Sequence, residues 1–386
     1  MPAAPVHIAK ASYCDEQDLQ KKVEELLLCL PQVQALKSNS NVVLKPNLMS
    51  PRKPEEAVTT HPAVVRAVVL ALQKKGVQSI TIAESPGGPS TPRSIASLFT
   101  ACGVRQALQS TGAVLYEDIE STALAAPNAK LVRRFSVLNP IAKADLIINL
   151  PKLKTHVLTG LSGAVKNLFG VVPGLQKAEF HMQFPQREHF GQMLIDLQQA
   201  LPPTVHLVDA MLAMEGDGPG GGVPKDCGVL LAGQDPYAID LALCSFIGMP
   251  AATVPYLQAG AAQGLCAEMF DPAQLQGEVD AAEAFLGFVL PSSYQGDLLH
   301  FQRMPKLFSW VIPAIAKFTA PRPRVLHSKC IGCARCKDIC PQKVISIKNG
   351  KAHIKRKGCI KCFCCHEVCP VKAIEVYRSR LVHGRQ

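Results

Sequence analysis

Cysteine residues near the C-terminus give the strongest chemical signal in this chain of 386 residues. Two runs share the spacing Cys-x2-Cys-x2-Cys-x3-Cys, and each is followed directly by proline. At this spacing three thiolates from one short loop can hold three corners of a 4Fe–4S cubane, while the fourth thiolate reaches a second cubane. The spacing therefore predicts two 4Fe–4S clusters. The first run is Cys330, Cys333, Cys336 and Cys340, and the second is Cys359, Cys362, Cys365 and Cys369.

The crossing of the fourth thiolate divides these cysteines into two ligand sets. Zinc or a disulfide staple is the alternative use of clustered cysteines, but zinc favours separate Cys-x2-Cys pairs that close one tetrahedron. Two equal runs, repeated after 29 residues, fit a two-cluster ferredoxin-type domain better. Cys364, which lies beside the second run, is predicted to be a buried bystander. We assign Cys330, Cys333, Cys336 and Cys369 to one cluster, and Cys359, Cys362, Cys365 and Cys340 to the other.

Six of the 15 cysteines lie outside this region, and they are scattered without the regular spacing of a disulfide framework. This distribution indicates a reducing compartment, so we expect a cytoplasmic protein. The N-terminal segment lacks a basic stretch followed by an apolar one, so no signal peptide is predicted. No run approaches the roughly 20 apolar residues of a membrane-spanning helix.

Positive charge is concentrated in the same C-terminal part of the chain. Residues 322–386 contain 16 Lys and Arg against 3 Asp and Glu, whereas residues 1–321 contain 25 against 27. Part of the excess compensates the clusters and their thiolates, and the rest predicts a redox partner protein with an acidic face. Nucleic acid is the alternative partner of a basic region. It is the poorer interpretation, because no aromatic platform that could stack on bases accompanies the basic residues.

Strand-like and helix-like segments alternate before this region. The alternation predicts an α/β domain over residues 1–290, with a mainly parallel sheet flanked by helices. No G-x-G-x-x-G sequence follows the first strand, which disfavours hydride transfer from a nicotinamide. Ligands of such sheets bind beyond the carboxyl ends of the strands. Strands are predicted at 42–47, 79–84, 112–117, 145–150, 204–209 and 228–232, and helices at 62–76, 92–109, 162–169, 190–200 and 236–247.

Residues 291–321 are predicted to form a linker that contains a docking helix at Met304–Phe318. A membrane-surface helix is the alternative for this apolar segment, but few charges line a polar face. The sequence Pro321-Arg322-Pro323 marks a domain boundary. Residues 322–386 then form a small α+β ferredoxin-type domain with a hairpin around Asn349-Gly350.

The segment 145–181 contains many residues that bind anions or transfer protons. The turn at 159–163 leads into a short helix whose free N–H groups can face a ligand. Taken singly, Lys166 could be a surface lysine and His156 a core histidine, but the whole group favours a site. We predict that His156, Lys166 and His181 are catalytic. The predicted ligand- or cofactor-binding residues are Lys154, Gly160, Ser162, Gly163, Asn167 and Asp209.

A second polar group surrounds the glycine-rich run at 216–222. Asp209, Glu215 and Asp217 could bind a cation or act as acid–base groups. A plain flexible loop is the alternative for the glycine run. We expect Asp209, at the end of a strand, to line the rim of the pocket formed by the segment 145–181.

Several motifs resemble the bacterial and archaeal iron–sulfur family known as domain of unknown function 362. The resemblance extends from about residue 40 to 245 and implies a cytoplasmic redox protein. The motifs are Lys45-Pro46-Asn47-Leu48, Thr59-Thr60-His61-Pro62, Glu84-Ser85-Pro86-Gly87-Gly88, Lys152–His156, Ser162–Gly170, Glu215–Pro219, and Ala238 with Asp240.

A weaker resemblance concerns residues 145–181, which are similar to a stretch of the nickel-pincer lactate racemases. It implies that Lys166 holds a pincer nucleotide, that His156 performs acid–base work and that His181 binds nickel. The turn Ser85-Pro86-Gly87 lacks the histidine that those enzymes place after an earlier strand. This difference argues against two-base racemisation. The remaining resemblance, at His156 and Lys166, implies a pocket for an anionic or nucleotide cofactor near Lys166.

Three functions remain open at this point. The first is an oxidoreductase, in which electrons pass through the two clusters to a small-molecule substrate or cofactor in the α/β domain. The second is an electron-transfer adaptor without a catalytic site. The third is a pincer-type isomerase or cofactor-handling enzyme with structural clusters. Convergence of the predicted histidines and Lys166 on one pocket favours the first and third over the second.

Overall fold

The computed structural model describes residues 4–294 and 320–378, and a ten-stranded sheet forms the centre of the first range, here called the α/β body. Two further strands, β5 and β6 below, pair as a separate antiparallel hairpin. The strands of the body are β1 (Val6–Lys10), β2 (Asn41–Pro46), β3 (Ser79–Ile82), β4 (Val114–Leu115), β5 (Ser121–Ala125), β6 (Arg134–Leu138), β7 (Leu146–Leu150), β8 (Lys152–His156), β9 (Gly160–Ser162), β10 (Thr204–Glu215), β11 (Val223–Gly233) and β12 (Leu275–Gly277).

The main path of the sheet follows the order β12-β1-β11-β10-β7-β2-β3-β4, and β8 pairs with both β10 and β9. The neighbours from β10 through β7, β2 and β3 to β4 are parallel. Strand β11 is antiparallel to both of its neighbours, and β9 is antiparallel to β8. The predicted α/β fold with a mainly parallel sheet is confirmed.

Helices cover both faces of the sheet. They are α1 (Glu16–Leu28), α2 (Pro31–Gln34), α3 (Pro62–Lys74), α4 (Pro92–Ala101), α5 (Val104–Ala107), α6 (Asn139–Ala142), α7 (Ala164–Asn167), α8 (Gly174–Gln183), α9 (Arg187–Ala200), α10 (Pro236–Phe246) and α11 (Pro255–Ala262). Short 3-10 turns lie at Pro54–Glu56, Leu168–Val171, Ala251–Thr253, Pro272–Gln274 and Val279–Phe285.

Alternating side chains of the central strands build two separate cores. In β2, Val42 and Leu44 pack with α1, α3 and α4, whereas Val43 packs on the opposite face with α9 and α10. Strand β7 is buried along its whole length and divides its side chains in the same way. A strand buried on both faces reads as a continuous apolar run, which is why these two were predictable.

One predicted helix is divided in the structure. The segment 92–109 forms α4 and α5 rather than a single helix, because Gly103 between them takes a left-handed φ of +74°. A left-handed residue breaks the helical hydrogen-bond ladder, and glycine adopts it without steric cost. Several other predicted elements differ in length; for example, β4 is shorter than predicted, β10 extends to Glu215, and β11 begins at Val223 rather than at residue 228.

The C-terminal region, residues 320–378, contains two small antiparallel sheets and two short helices. Asn349 and Gly350, both with positive φ, connect the strands of the predicted hairpin, as a tight two-residue turn requires. The other pair of strands joins the two ends of the region. The elements are β13 (Arg322–Val325), α12 (Arg335–Asp338), β14 (Ile345–Lys348), β15 (Lys351–Ile354), α13 (Cys364–Glu367) and β16 (Ile374–Tyr377).

The predicted docking helix at Met304–Phe318 lies outside the described residues. The proposed domain limits at residues 290 and 321 therefore stay a prediction. In the two described ranges, no helix combines the length and apolar character needed to cross a membrane. The cytoplasmic location likewise stays a prediction.

Candidate functional site

A cavity lies where the C-terminal region packs against the α/β body, and it is called the interdomain cavity below. About 80 Å³ of it is open to the centres of water molecules, whereas one bound water needs on the order of 10–15 Å³ by this measure. The cavity can therefore hold a small molecule. The body contributes Lys45, Asn47, Met49, Glu84, Ser85, Gly87, Lys154, His156, Ser162, Lys166, Asn167, Phe169, Gly170, Lys177, Ala178, His181 and Pro219, and the C-terminal region contributes Ile339, Cys364, Glu367 and Val368.

The three predicted catalytic residues all line this cavity, although they come from different elements. His156 ends β8, Lys166 lies in α7 and His181 lies in α8. Three of the predicted binding residues, Lys154, Ser162 and Asn167, line it as well. The structure thus brings together six of the nine residues that the sequence assigned to one site.

The other three predicted binding residues do not line the cavity. Gly160 faces Met249, and a Cβ atom on it would lie 2.9 Å from the Met249 sulfur. A Cβ on Gly163 would lie 2.0 Å from an oxygen of Asp240, so this glycine is needed for close packing. The buried Asp240 carboxylate accepts hydrogen bonds from the first two N–H groups of α7, at 2.6 and 3.1 Å. Gly163 and Asp240 therefore position the helix that carries Lys166.

Asp209 does not form the rim of the cavity, contrary to our expectation. Its fully buried carboxylate forms an ion pair with Lys152 at 3.0 Å. It also accepts hydrogen bonds from the Tyr13 hydroxyl at 2.5 Å and from the His61 N–H at 2.8 Å. These contacts fix β8 and β10 against the loop before α3, because a buried carboxylate needs such partners.

His156 is almost fully buried and has a defined proton position. Its Nδ1 atom accepts hydrogen bonds from the N–H groups of Leu158 and Thr159, at 3.1 and 3.4 Å. The proton of the neutral ring is therefore on Nε2. Nε2 lies 3.3 Å from Oε1 of Glu367, and within the described residues neither atom has a hydrogen-bond partner of good geometry. Oε1 of Glu367 is therefore the polar atom that faces the Nε2 proton, and a ligand that binds this proton must share it with Glu367.

Burial sets the protonation of the imidazole rings in the cavity. It lowers the pKa of His156 to about 4 and that of His181 to about 3, so both rings are neutral at pH 7. The His181 ring stacks on Phe190 at a centroid distance of 4.4 Å. For Glu367, burial alone would raise the pKa, but His156, Lys166 and His181 together lower it to about 2. Glu367 is therefore ionised.

The lysine amines of the cavity differ in their partners. Burial lowers the pKa of Lys154 and of Lys177 to about 7, and it also lowers the pKa of Lys166. Lys166 Nζ lies 5.0 Å from the centre of the Phe169 ring and has no hydrogen-bond partner in the described part of the chain. Its free amine separates it from a generic surface lysine. Burial is the main cause of the lowered pKa of Lys166.

Sequence reasoning missed four charged residues of the cavity, namely Lys45, Glu84, Lys177 and Glu367. Lys45 and Glu84 form a buried ion pair at 2.6 Å. The sequence did contain a signal for this pair, because Lys45 and Glu84 each lie at the end of an apolar strand. A charged side chain that is buried there needs a partner of opposite charge. Glu367 was the only acidic residue within the second cysteine run. Nothing in the local sequence distinguished Lys177.

The glycine-rich run at 216–222 receives the C-terminal region. A Cβ atom on Gly221 would lie 2.3 Å from the His366 ring, and one on Gly220 would lie 2.7 Å from the Glu367 carbonyl oxygen. His366 Nε2 contacts the Asp217 carbonyl oxygen at 2.9 Å. The run is therefore an interface between the two parts of the chain, where side chains would prevent close approach.

The carboxylates beside this run hold neighbouring backbone. Asp217 accepts hydrogen bonds from the backbone N–H and the hydroxyl of Ser292, at 2.7 and 3.0 Å. Glu215 accepts one from the Val289 N–H at 2.9 Å. These contacts account for both side chains without a cation. Within the described ranges, no three His, Cys, Asp or Glu side chains are arranged to hold a single metal ion.

Each predicted cysteine set surrounds a cavity of its own. The first cluster site is lined by Cys330, Cys333, Cys336 and Cys369. The second cluster site is lined by Cys340, Cys359, Cys362 and Cys365. In the first site, backbone N–H groups donate to the sulfurs of Cys330 and Cys369, at 3.4 and 3.2 Å. Such N–H···S contacts suit thiolates that hold a 4Fe–4S cluster. The cysteines of the first cluster site therefore fit a 4Fe–4S cluster.

Cys364 connects the second cluster site with the interdomain cavity. Its buried side chain lines both spaces. The predicted bystander is thus part of the wall between a cluster site and the cavity that contains His156 and Lys166.

Comparison with known proteins agrees with this architecture. Residues 42–245 match the family described as domain of unknown function, DUF362. The chain belongs to the DUF362 family. Residues 322–370 of this DUF362 protein match the 4Fe–4S dicluster domain, so it is an iron–sulfur protein. The predicted family is confirmed.

One curated relative of the DUF362 protein is a thylakoid-associated protein of Synechocystis sp., 32% identical over 235 residues, which are 60% of this chain and 70% of the relative. Two solved structures are also similar, each with a TM-score of 0.38 and 12% identity. A Thermotoga maritima protein matches over 66% of this chain and 60% of its own. The lactate racemase apoprotein of Thermoanaerobacterium thermosaccharolyticum matches over 63% and 56%. The match spans less than two thirds of either structure.

Proposed function

We propose that this protein is an iron–sulfur oxidoreductase that acts on a small molecule in the interdomain cavity. The observation that carries the proposal is the position of Cys364, which lines both the second cluster site and the cavity. Clusters that only stabilised the fold would need no shared wall with a cavity rich in ionisable groups. The convergence of His156, Lys166 and His181 counts against an adaptor without a catalytic site.

The side chains of the cavity have separable roles in this proposal. Bound 4Fe–4S clusters, one in each cysteine site, supply one-electron oxidation and reduction. His156 holds a proton on Nε2, from where it can be donated to a ligand, because Nδ1 is occupied by two backbone N–H groups. Lys166 offers an amine for ionic or covalent contact with the ligand. Phe190 orients the His181 ring by stacking on it.

We also propose that electrons enter or leave through a protein with an acidic face. The supporting observation is the basic surface of the first cluster site, where Cys333 is exposed and Lys329, Arg335 and Lys337 are exposed beside it. Charge attraction across such an interface accelerates association and is screened by salt. We expect the rate of reduction by an acidic ferredoxin or flavodoxin to fall steeply as salt rises from 0.05 to about 0.5 M. A salt-independent rate would contradict this proposal.

Replacing Lys166 with methionine should lower the reduction potential of the second cluster more than that of the first. The substitution removes an amine, a cation when protonated, from a cavity that shares the wall formed by Cys364 with the second cluster site, and loss of a nearby cation disfavours the addition of an electron. A redox titration followed by electron paramagnetic resonance measures both potentials. Lys37→Met, at an exposed position, is the matched control.

The result also separates the redox proposal from an isomerase with structural clusters. A larger shift in the reduction potential of the second cluster supports a cavity that is electrically coupled to the second cluster site. Equal shifts in both clusters, or none, would contradict the coupling on which the oxidoreductase proposal rests.

A further inference from the structure

The charges around the interdomain cavity do not balance. Lys45 and Glu84 neutralise each other in their ion pair. The remaining amines that line the cavity belong to Lys154, Lys166 and Lys177, and Glu367 is the carboxylate that faces them. Both histidine rings are neutral, so they add no charge. When all three amines are protonated, two positive charges have no carboxylate partner among the described residues of the cavity.

The hydrogen bonds of these lysines do not remove the imbalance, because the acceptors are neutral. Lys154 Nζ donates to the side-chain oxygen of Asn47 at 2.9 Å and to the Val58 carbonyl at 2.7 Å. Lys177 Nζ donates to the Ser85 carbonyl at 2.5 Å. Buried ammonium groups are costly unless an anion accompanies them. This cost explains why burial lowers the pKa of both amines to about 7.

We propose that the interdomain cavity binds a small oxyanion with two negative charges, either a phosphate group or a dicarboxylate. The inference deepens the proposed function by naming the class of its ligand, and it rests on the same cavity. Lys166 Nζ supplies an amine without a competing hydrogen bond, and His156 supplies an N–H donor at Nε2. Phosphate and carboxylate oxygens accept from both kinds of donor.

A bound dianion should raise the pKa of Lys154 and of Lys177, because an opposite charge favours the charged amine. Binding near pH 7 to 8 is therefore accompanied by proton uptake. The affinity should fall as the pH rises above about 7, since each amine must then be protonated for the anion to bind. The other charged or titratable groups that line the cavity are Lys45, Glu84, Lys166, His156, His181, Glu367 and Cys364.

Isothermal titration calorimetry on the full-length, cluster-loaded protein tests the inference. Inorganic phosphate, malonate and acetate are titrated at constant ionic strength and pH 7.5, in two buffers of different ionisation enthalpy. We expect phosphate, malonate or both to bind with one ligand per chain, and acetate to bind at least about tenfold more weakly. Malonate binding should show proton uptake, because both of its carboxylates are already ionised. Binding of only one dianion identifies its class.

Three variants give the experiment its controls. Lys166→Met should weaken dianion binding by about tenfold or more, and Lys177→Met, on a different helix, should do the same. Lys37→Met should bind like the wild type. Iron content and circular dichroism establish that each variant is folded. Failure of both dianions to bind overturns the inference. Equal affinity in the wild type and both cavity variants means an adventitious ion only and also overturns it.

The ligand class and the redox function can fail separately. If neither dianion binds while Lys166→Met still shifts the potential of the second cluster, the ligand class is wrong and the oxidoreductase proposal stands. If a dianion binds with the expected dependence on Lys166 while neither potential responds, the cavity is an anion site without redox coupling.

Discussion

Replacing Cys340 with alanine is expected to leave about four iron atoms per chain, against about eight in the wild type. Cys340 belongs to the first cysteine run, yet it lines the second cluster site together with Cys359, Cys362 and Cys365. Its loss should therefore empty the second site while the first remains loaded. The converse holds for Cys369, which lies in the second run but lines the first site.

Iron analysis after anaerobic reconstitution, with electron paramagnetic resonance of the reduced protein, measures this effect. Cys340→Ala and Cys369→Ala should each retain one cluster, with two different single-cluster spectra and without the magnetic coupling of the wild type. Cys29→Ala, at an exposed position away from both runs, is the control and should retain about eight iron atoms. Unchanged iron content in either ligand variant would contradict the crossed ligand sets.

The grouping of the cysteines around two cavities could be predicted from the sequence because it follows from their spacing. Three thiolates in one loop and a fourth just before proline form a local pattern, which does not depend on distant contacts. The buried strands β2 and β7 were predictable for a similar reason, since an apolar run needs cover on both faces. Predictions of this kind use only neighbouring residues.

Contacts between distant segments account for most of what the sequence did not reveal. Asp209 follows a buried strand, as site carboxylates often do, but Lys152, Tyr13 and His61 occupy it. The local pattern was the same for a site residue and for a buried ion pair. Likewise, the glycine-rich run reads as a flexible loop until His366 packs against Gly221. Only the docked C-terminal region supplies the reason for those glycines.

The wall formed by the C-terminal region is the least predictable part of the site. Glu367 lies between two cluster ligands in the sequence, and no motif there assigned it a role in the cavity. The structure turns its carboxylate toward His156, at 3.3 Å, and places Cys364 beside the same cavity. A site built across two regions cannot be assembled from the motifs of either region alone.

Loss of the Lys166 amine should slow the reoxidation of the reduced protein by its electron-accepting substrate. We expect a decrease of about a hundredfold, the scale of a lost catalytic group. The reason is the position of this amine, which faces the cavity without a hydrogen-bond partner in the described residues and shares that cavity with Cys364, whose side chain also lines the second cluster site. His156→Gln should have a comparable effect if Nε2 donates the proton. Neither substitution touches a cysteine of the two cluster sites.

The most direct test is a stopped-flow experiment under strict exclusion of oxygen. The cluster-loaded protein is reduced with dithionite, freed of the excess and mixed with the small-molecule fraction of a cell extract, and the return of the oxidised cluster absorbance is followed. Reoxidation by ferricyanide, which needs no binding pocket, verifies that the clusters of all variants are intact. We predict rapid reoxidation of the wild type and of Lys37→Met, and slow reoxidation of Lys166→Met and His156→Gln. Equal rates for the wild type and Lys166→Met would contradict redox chemistry in the interdomain cavity.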